Sequence, residues 1–185
     1  MNEKQQKRIG KFISLILRHE PEKIGLQLDD AGWADVNELL EGLRRKNRGI
    51  SFDQLQELVA SNDKQRYSFN EDQSRIRANQ GHSLKLDLQL EAREPPEQLY
   101  HGTATRFLDS ILEQGLMKRE RHHVHLSLEK STANQVGSRH GKPVIFVINS
   151  GEMYRNGYVF YCSENLVWLT DHVPAAFIEI SKPNL

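Results

Sequence analysis

The chain has 185 residues, of which 37% are hydrophobic and 27% charged. That length fits one large domain or two small ones, with enough apolar side chains for small cores. Because 25 basic and 25 acidic side chains cancel, a uniformly basic nucleic-acid-binding surface is excluded, and any such binding must use local patches. The single cysteine, Cys162, excludes an internal disulfide and favours a reducing compartment.

The first third of the chain predicts three helices. Apolar side chains recur at helical spacing over residues 9–16, and Pro21 ends that element. Asp35 and Ser51 are N-cap residues for a second and a third helix, each with a Glu or Gln three positions later, as in a capping box.

A change of periodicity follows the third helix. Segments 66–69 and 75–78 flank a polar turn and predict a β-hairpin. Three helices followed by a hairpin give a winged-helix layout. Leucines alternate with other residues over 84–90, which predicts a half-exposed strand.

The run Glu-Pro-Pro-Glu at 94–97 is the best linker candidate. We therefore predict two domains, 1–92 and 93–185. The second domain is predicted to be α+β, with short helices at 106–114 and 131–136. Its predicted strands are 144–148, 158–161, 166–169 and 176–180.

Arginine–histidine pairs occur near both ends of the chain, as Arg18-His19 and Arg139-His140. Arginine presents a fork of donors that matches phosphate, and histidine adds an exchangeable proton. Arg66 is a third candidate for the same anion. Because no dense carboxylate cluster accompanies them, the pattern predicts chemistry on a phosphorylated substrate without a metal cage. The alternative for Arg18-His19 is simple capping of a helix C-terminus.

A polar run after the hairpin is a further candidate anion site, since glycine lets backbone amides approach a ligand. The alternative is an ordinary loop. The candidate residues are Arg77, Gln80, Gly81, His82 and Ser83.

Two histidine motifs belong to the second domain. His101-Gly102-Thr103 is predicted to end a strand before a helix, where free amides favour a phosphate or polar ligand. His123 and His125 share one face of a strand and could bind a metal, but metal sites usually need three or four ligands, with a carboxylate or a cysteine among them. We therefore favour His125 and Ser127 as ligand contacts and expect no metal.

Taken in order, these motifs resemble those of the KptA-type RNA 2′-phosphotransferases, over nearly the whole chain. The matching segments are 17–19, 32–35, Arg66, 76–83, 99–103, 124–127, 137–141 and 167–170.

The resemblance implies an N-terminal winged-helix, RNA-binding lobe and a C-terminal ADP-ribosyltransferase-like lobe with a split β-sheet, with the active site between them. It implies Arg18, His19, Arg66 and Arg139 as catalytic residues. It also implies that NAD, as co-substrate, contacts the segment 101–103, that is His101, Gly102 and Thr103. His125, Ser127 and the residues 80–83 are expected to line the cleft.

The implied reaction removes an internal 2′-phosphate from RNA of the tRNA splice-junction type, through an ADP-ribosylated RNA intermediate. The products are 2′-hydroxyl RNA, nicotinamide and ADP-ribose 1″,2″-cyclic phosphate. We expect 2′-phosphorylated RNA and NAD as partners of a monomer. The polar N-terminus and the lack of a bilayer-length apolar run predict a cytoplasmic protein without membrane association.

Three alternatives remain open from the sequence. The motifs at 101–103 and 125–127 mimic those of 2H phosphoesterases, which need no NAD, although they are close together for two symmetric halves. A winged helix alone is typical of a DNA-binding regulator, although the third helix is neutral to acidic around 54–57. ADP-ribosylation of nucleic-acid 5′-phosphate ends would use the same site and end after the first step.

Overall fold

The computed structural model describes residues 1–181 except positions 63, 85, 87, 120 and 140. The chain divides into two compact units, Met1–Gln89 and Leu90–Leu185, each of which is described by itself. The boundary predicted from the sequence, after residue 92, falls a few residues beyond this division. Six α-helices and several small antiparallel sheets occur in the described part, so the mixture of helices and strands was predicted correctly.

The first unit contains three helices and one small sheet. Its strands pair antiparallel in the order β1-β3-β2. The elements are α1 (Glu3–Arg18), β1 (Ala34–Asp35), α2 (Val36–Arg45), α3 (Phe52–Ala60), β2 (Tyr67–Phe69) and β3 (Arg75–Ala78).

The helix starts follow the predicted caps. The Asp35 side chain accepts backbone hydrogen bonds from Asn37 and Glu38, and Ser51 forms a full capping box with Gln54. Such caps satisfy backbone donors that would otherwise lack a partner. The predicted hairpin is also present, with Tyr67 opposite Ala78.

One core lies under all three helices and the sheet of this unit. Its buried side chains come from all three helices, all three strands and the 3-10 turn at 21–24, and each fully buried Leu or Ile contributes about 1.5–3 kcal/mol. The largest fully buried members are Ile13, Ile16, Leu17, Leu39, Leu43, Leu55 and Ile76.

The strand predicted over 84–90 was wrong. The described residues of this stretch have no regular structure, yet Leu88 is buried. Leu86 and Leu88 instead lie over Gly32, within 3.2 and 3.6 Å of where a Cβ would stand. The alternation therefore reflects packing of an irregular segment on a loop rather than pairing in a sheet.

The second unit contains three small antiparallel sheets, ordered β11-β7-β4, β6-β9-β8 and β10-β5. Its helices are α4 (Leu108–Gln114), α5 (Lys130–Gly137) and α6 (Ser150–Arg155). Its strands are β4 (Leu99–Ala104), β5 (Leu116–Met117), β6 (Val124–Leu126), β7 (Pro143–Ile148), β8 (Tyr161–Cys162), β9 (Trp168–Thr170), β10 (His172–Val173) and β11 (Ile178–Ile180).

The strand β7 was predicted correctly, but three others were placed too early in the chain. Residues 158–160 have no strand structure, 166–167 precede β9, and 175–177 form a 3-10 turn before β11. Phe160 is nevertheless fully buried. Runs of apolar and aromatic residues indicate burial whether or not the residues pair in a strand, which explains these shifts.

Candidate functional site

The C-terminal end of α1 collects several of the predicted residues. The Arg18 guanidinium donates from Nη2 to Gln80 Oε1 at 3.4 Å, across 62 residues of sequence. Ser83 N–H donates to the carbonyl of Arg18 at 3.1 Å, and Ser83 Oγ lies 2.9 Å from Nδ1 of His19. Two separate motifs, 18–19 and 80–83, therefore form one local cluster.

The backbone conformation of residues 80–83 explains why this segment contacts the end of α1. Gly81 has a φ of +83°, a conformation that residues with a Cβ rarely adopt. His82 beside it is 1% exposed, so its side chain faces the interior of the unit, whereas Ser83 and His19 are exposed. The glycine thus turns the chain so that Ser83 reaches the end of α1.

Arg66 lies immediately before β2 and forms hydrogen bonds with Asn62 and Asn79. Its Nη1 donates to Asn62 Oδ1 at 3.1 Å, and its carbonyl accepts from the N–H of Asn79 at 2.9 Å. Asn79 is buried, and its Nδ2 donates to the carbonyl of Gln65 at 2.7 Å. These contacts restrict the orientation of the Arg66 side chain.

The buried side chain of Tyr67 is influenced by the charges of both Arg66 and Arg18. The Tyr67 hydroxyl donates to the carbonyl of Gly10 and lies 2.7 Å from Ser14 Oγ. Burial raises the pKa of Tyr67, and the charges of Arg18 and Arg66 act in the opposite direction. Both cations are therefore close enough to the same phenol to influence it, which makes this end of the unit electropositive.

Arg77 lies on β3 of the same unit. It alternates with the buried Ile76 on β3, and its guanidinium lies over the Trp33 ring at 4.5 Å. On the same strand face, Arg75 pairs with Asp29 at 2.9 Å. Arg77 is thus placed on the outer face of the small sheet.

The second unit brings its own predicted residues together by strand pairing. Tyr100 and Ser127 exchange two backbone hydrogen bonds of 2.8 Å, which join β4 to the chain just after β6. His101 Nδ1 consequently lies 3.0 Å from the carbonyl of His125.

The motif 101–103 lies near the C-terminal end of β4, which ends at Ala104, and a 3-10 turn at 105–107 then leads into α4, as predicted. His101 pairs with Phe146 and Thr103 with Val144 of β7. The motif therefore offers side chains, rather than free helix amides, to a ligand.

The protonation of His101 follows from its surroundings. Burial lowers its pKa, the hydrogen bond to the His125 carbonyl acts in the opposite direction, and the nearby charge of Arg121 lowers the pKa further. The ring is therefore neutral near pH 7. Since the carbonyl of His125 can only accept a hydrogen bond, Nδ1 carries the proton and Nε2 is left as an acceptor.

Gly102 is required by close packing rather than by backbone conformation. A Cβ at this position would lie 1.7 Å from the carbonyl oxygen of Ala133 in α5, and a Cβ at Gly137 would lie 2.8 Å from the carbonyl oxygen of Thr103. The helix α5 thus rests directly on the backbone of β4. Arg139 follows in the next turn, exposed, with its N–H on the carbonyl of Val136 at 3.2 Å.

Arg139 is therefore tied through α5 to the strand that carries His101. His140, predicted beside Arg139 as a partner in the same motif, lies outside the described residues.

No group of three or more His, Cys, Asp or Glu side chains in the described part of the chain is arranged to hold a metal. The ring of His123, considered above as a metal ligand, lies 5.4 Å from that of Tyr161. Among the described helices, none is both long and apolar enough to cross a bilayer.

Three residues of these clusters have roles that sequence reasoning missed. Tyr67 connects α1 to β2, Asn62 holds Arg66, and Arg121 lies near His101. Asn62 and Arg66 are four residues apart in an irregular segment, so no periodic signal marks the pair. In sequence, Arg121 is one of several basic residues at 118–123, and nothing there relates it to His101.

A family model and several relatives that match this chain all carry the same description. A family model described as RNA 2′-phosphotransferase, Tpt1/KptA family, matches residues 4–172. A protein of Flavobacterium johnsoniae named "Probable RNA 2′-phosphotransferase" is 55% identical over 182 residues, which cover 98% of this chain and 100% of that protein. Proteins of the same name from Hahella chejuensis and Trichormus variabilis are 52% and 49% identical, covering 96% and 97% of this chain and 96% and 99% of their own lengths.

Proposed function

The chain belongs to the RNA 2′-phosphotransferase family (Tpt1/KptA), and we propose that it is a transferase that removes a 2′-phosphate from RNA with NAD as co-substrate. The observation that carries this proposal is the cluster of Arg18, His19, Gln80 and Ser83 at the end of α1, with Arg66 beside Tyr67. Such a set of cations and polar donors suits a phosphate group.

NAD would supply the ADP-ribosyl group that takes up the phosphate, leaving nicotinamide, 2′-hydroxyl RNA and ADP-ribose 1″,2″-cyclic phosphate. The attacking group is the 2′-phosphate of the RNA, which is largely ionised near pH 7 and therefore needs no strong general base. Because the phosphate and the dinucleotide are both anionic, the enzyme must instead neutralise their charges and align them for the reaction. The chemistry of the arginine-rich cluster fits that requirement.

We assign Arg18 and Arg66 of the first unit to the phosphate, and we assign Arg139 of the second unit as a further catalytic residue. Each guanidinium offers a planar fork of donors, and pre-organised donors at a site of charge build-up contribute about 3–4 kcal/mol each. Asn62 and Gln80 hold two of these guanidinium groups in place, through hydrogen bonds of 3.1 and 3.4 Å. The orientation is thus set before substrate arrives.

His19 is assigned two tasks. It holds the phosphate, and it donates a proton to the 2′-oxygen of the RNA when the phosphate leaves that oxygen. The hydroxyl of Ser83, 2.9 Å from Nδ1, orients the ring.

The residues of β4 and β6 fit the nicotinamide riboside part of NAD. His101 is neutral and presents Nε2 as an acceptor, which suits a ribose hydroxyl or carboxamide N–H. Thr103, His125 and Ser127 add polar groups on neighbouring strands, and Gly102 keeps β4 against α5. The cation Arg121 near His101 suits the pyrophosphate of the same ligand.

The test is incubation of the purified chain with an oligonucleotide that carries one internal 2′-phosphate, with and without NAD. We expect the phosphate to be lost only with NAD, in step with release of nicotinamide and the cyclic phosphate. Phosphate loss that does not depend on NAD, or an intact 2′-phosphate in both reactions, would overturn the proposal. Accumulation of ADP-ribosylated RNA without 2′-hydroxyl product would instead indicate an enzyme that performs the first step alone.

A further inference from the structure

The helix α1 carries a row of lysines that runs towards the candidate phosphate site. At about 100° per residue, Lys4, Lys7, Lys11 and Arg18 fall within a sector of about 60° on one side of the helix. All three lysines are exposed. At 1.5 Å per residue the row extends about 21 Å from Arg18, and we call Lys4, Lys7 and Lys11 the α1 lysine row.

This row does not stabilise the helix that carries it. Lys4 lies in the first turn, where the helix dipole is positive and a cation is unfavourable. Lys7 and Lys11 are four residues apart, a spacing at which like charges repel. Within the described part of the chain none of the three lysines forms an ion pair, although Glu3 lies four residues before Lys7.

Other basic segments of the unit have structural uses. In the run 44–48, Arg44 pairs with Glu41 at 2.9 Å, Arg45 donates to the carbonyl of Ile24 at 2.9 Å, and Arg48 lies over the Phe12 ring. The basic run 44–48 is thus largely engaged within the fold, whereas the α1 lysine row faces solvent.

The third helix is the opposite of α1 in charge. It contains Asp53 and Glu57 and no Lys or Arg. Glu57 accepts a hydrogen bond from Gln6, which lies well away from the lysine sector around α1. An RNA strand would therefore be repelled from α3 and attracted to α1.

From this contrast we propose that the α1 lysine row binds the ribose-phosphate backbone of the RNA next to the 2′-phosphate, as an extension of the site at Arg18. This inference rests on the proposed RNA substrate. A stacked strand carries one charge per about 3.4 Å, so the row matches about six phosphates. A membrane surface is a poorer fit, because the apolar side chains of α1 at 9, 13, 16 and 17 are buried in the core.

Binding is tested first, without NAD, by fluorescence anisotropy with a long single-stranded RNA that carries one internal 2′-phosphate. The variant is Lys7→Gln with Lys11→Gln, and the charge-matched control is Arg44→Gln with Lys46→Gln. We expect the first variant to bind roughly tenfold more weakly and its salt slope to fall by about 1.4, at about 0.7 per lost phosphate contact. The control is expected to bind like the wild type.

Activity is then measured with NAD on the same RNA and on a 2′-phosphorylated dinucleotide, which is too short to reach Lys7. In the first variant, the ratio of kcat/KM on the long RNA to kcat/KM on the dinucleotide should fall as the affinity falls. If the wild-type protein binds RNA but converts neither substrate, the proposed function is wrong. The binding experiment would still show whether the α1 lysine row binds RNA.

The inference is overturned if the lysine variant binds with wild-type affinity and salt slope. Equal weakening in the control would also overturn it, since total charge rather than the position of the row would then matter. Loss of binding to anionic phospholipid vesicles with unchanged RNA binding would assign the row to a membrane instead.

Discussion

The two units hold their candidate residues by different kinds of contact. In the first unit, side-chain hydrogen bonds join Arg18 to Gln80 and His19 to Ser83. In the second, strand pairing places His101, and the backbone of α5 rests on Gly102. A side-chain hydrogen bond contributes about 0.5–1.5 kcal/mol. The close contact between the backbones of α5 and β4, in contrast, can be relieved only by moving the whole helix. Substitution of Arg18 should therefore change chemistry, whereas substitution of Gly102 should change folding first.

The largest effect is expected from Gly102→Ala. Its Cβ would overlap the carbonyl oxygen of Ala133 at 1.7 Å, so α5 must move off the strand. We expect a loss of about 4 kcal/mol or more in unfolding free energy, measured by urea denaturation.

The control for this change is Gly10→Ala in α1, where a Cβ would meet only ordinary contacts, at 3.7 Å or more. There the gain in helix propensity should stabilise the protein by about 0.5–1 kcal/mol. If Gly102→Ala cost no more than a typical surface change, the proposed contact between α5 and β4 would be wrong.

Arg18→Ala should leave the protein folded and remove most of its activity. The loss of one pre-organised donor predicts a decrease in kcat/KM of roughly a hundred- to a thousandfold, measured as release of 2′-phosphate in the presence of NAD. Arg139→Ala should behave in the same way. The control is Arg8→Ala, on the same helix but outside the lysine sector. Near-normal activity of Arg18→Ala would eliminate the phosphate assignment.

Tyr67→Phe should have an intermediate effect. The change removes the hydroxyl that bonds to Gly10 and Ser14 and leaves a buried carbonyl without that donor. We expect a cost of about 1–2 kcal/mol in unfolding free energy. Tyr158→Phe is the control, since the Tyr158 hydroxyl makes no hydrogen bond within the described residues. Equal stability of the two variants would contradict the link between α1 and β2.

The smallest effect concerns pH. The folded protein lowers the pKa of His101, so the unfolded chain binds its proton more readily and stability should fall as pH drops below about 6.5. Asparagine at this position keeps a donor for the His125 carbonyl but does not titrate. The unfolding free energy of His101→Asn should thus decrease less between about pH 7.5 and pH 5 than that of the wild type. Identical pH profiles would show that His101 does not titrate in this way.

Local signals predicted the first unit better than the second. Capping residues at 35 and 51 and helical spacing in 9–16 were sufficient for the helices, because those signals act within one or two turns. In the second unit, short strands such as β8 and β9 are defined by pairing with distant partners. Apolar runs near them indicated burial, but their bounds were misplaced by several residues.

The candidate site was predicted as a set of residues but not as a geometry. Residue types alone identified arginines and histidines suited to phosphate, and the motif order indicated the family. Neither could show that Ser83 meets His19, that His101 carries its proton on Nδ1, or that Asn62 holds Arg66. These relations depend on chain segments that become neighbours only on folding.

By itself, the sequence determined the helices of the first unit, the buried strand β7 and the family to which the chain belongs, because caps, periodicity and ordered motifs are local properties of a chain. Tertiary structure alone decided that Gly102 must lack a side chain and that Tyr67 connects α1 to β2. It also decided that Arg44, Arg45 and Arg48 are engaged while the lysines of α1 face solvent. Close packing and long-range hydrogen bonds depend on which backbone lies opposite, and no local pattern encodes that neighbour.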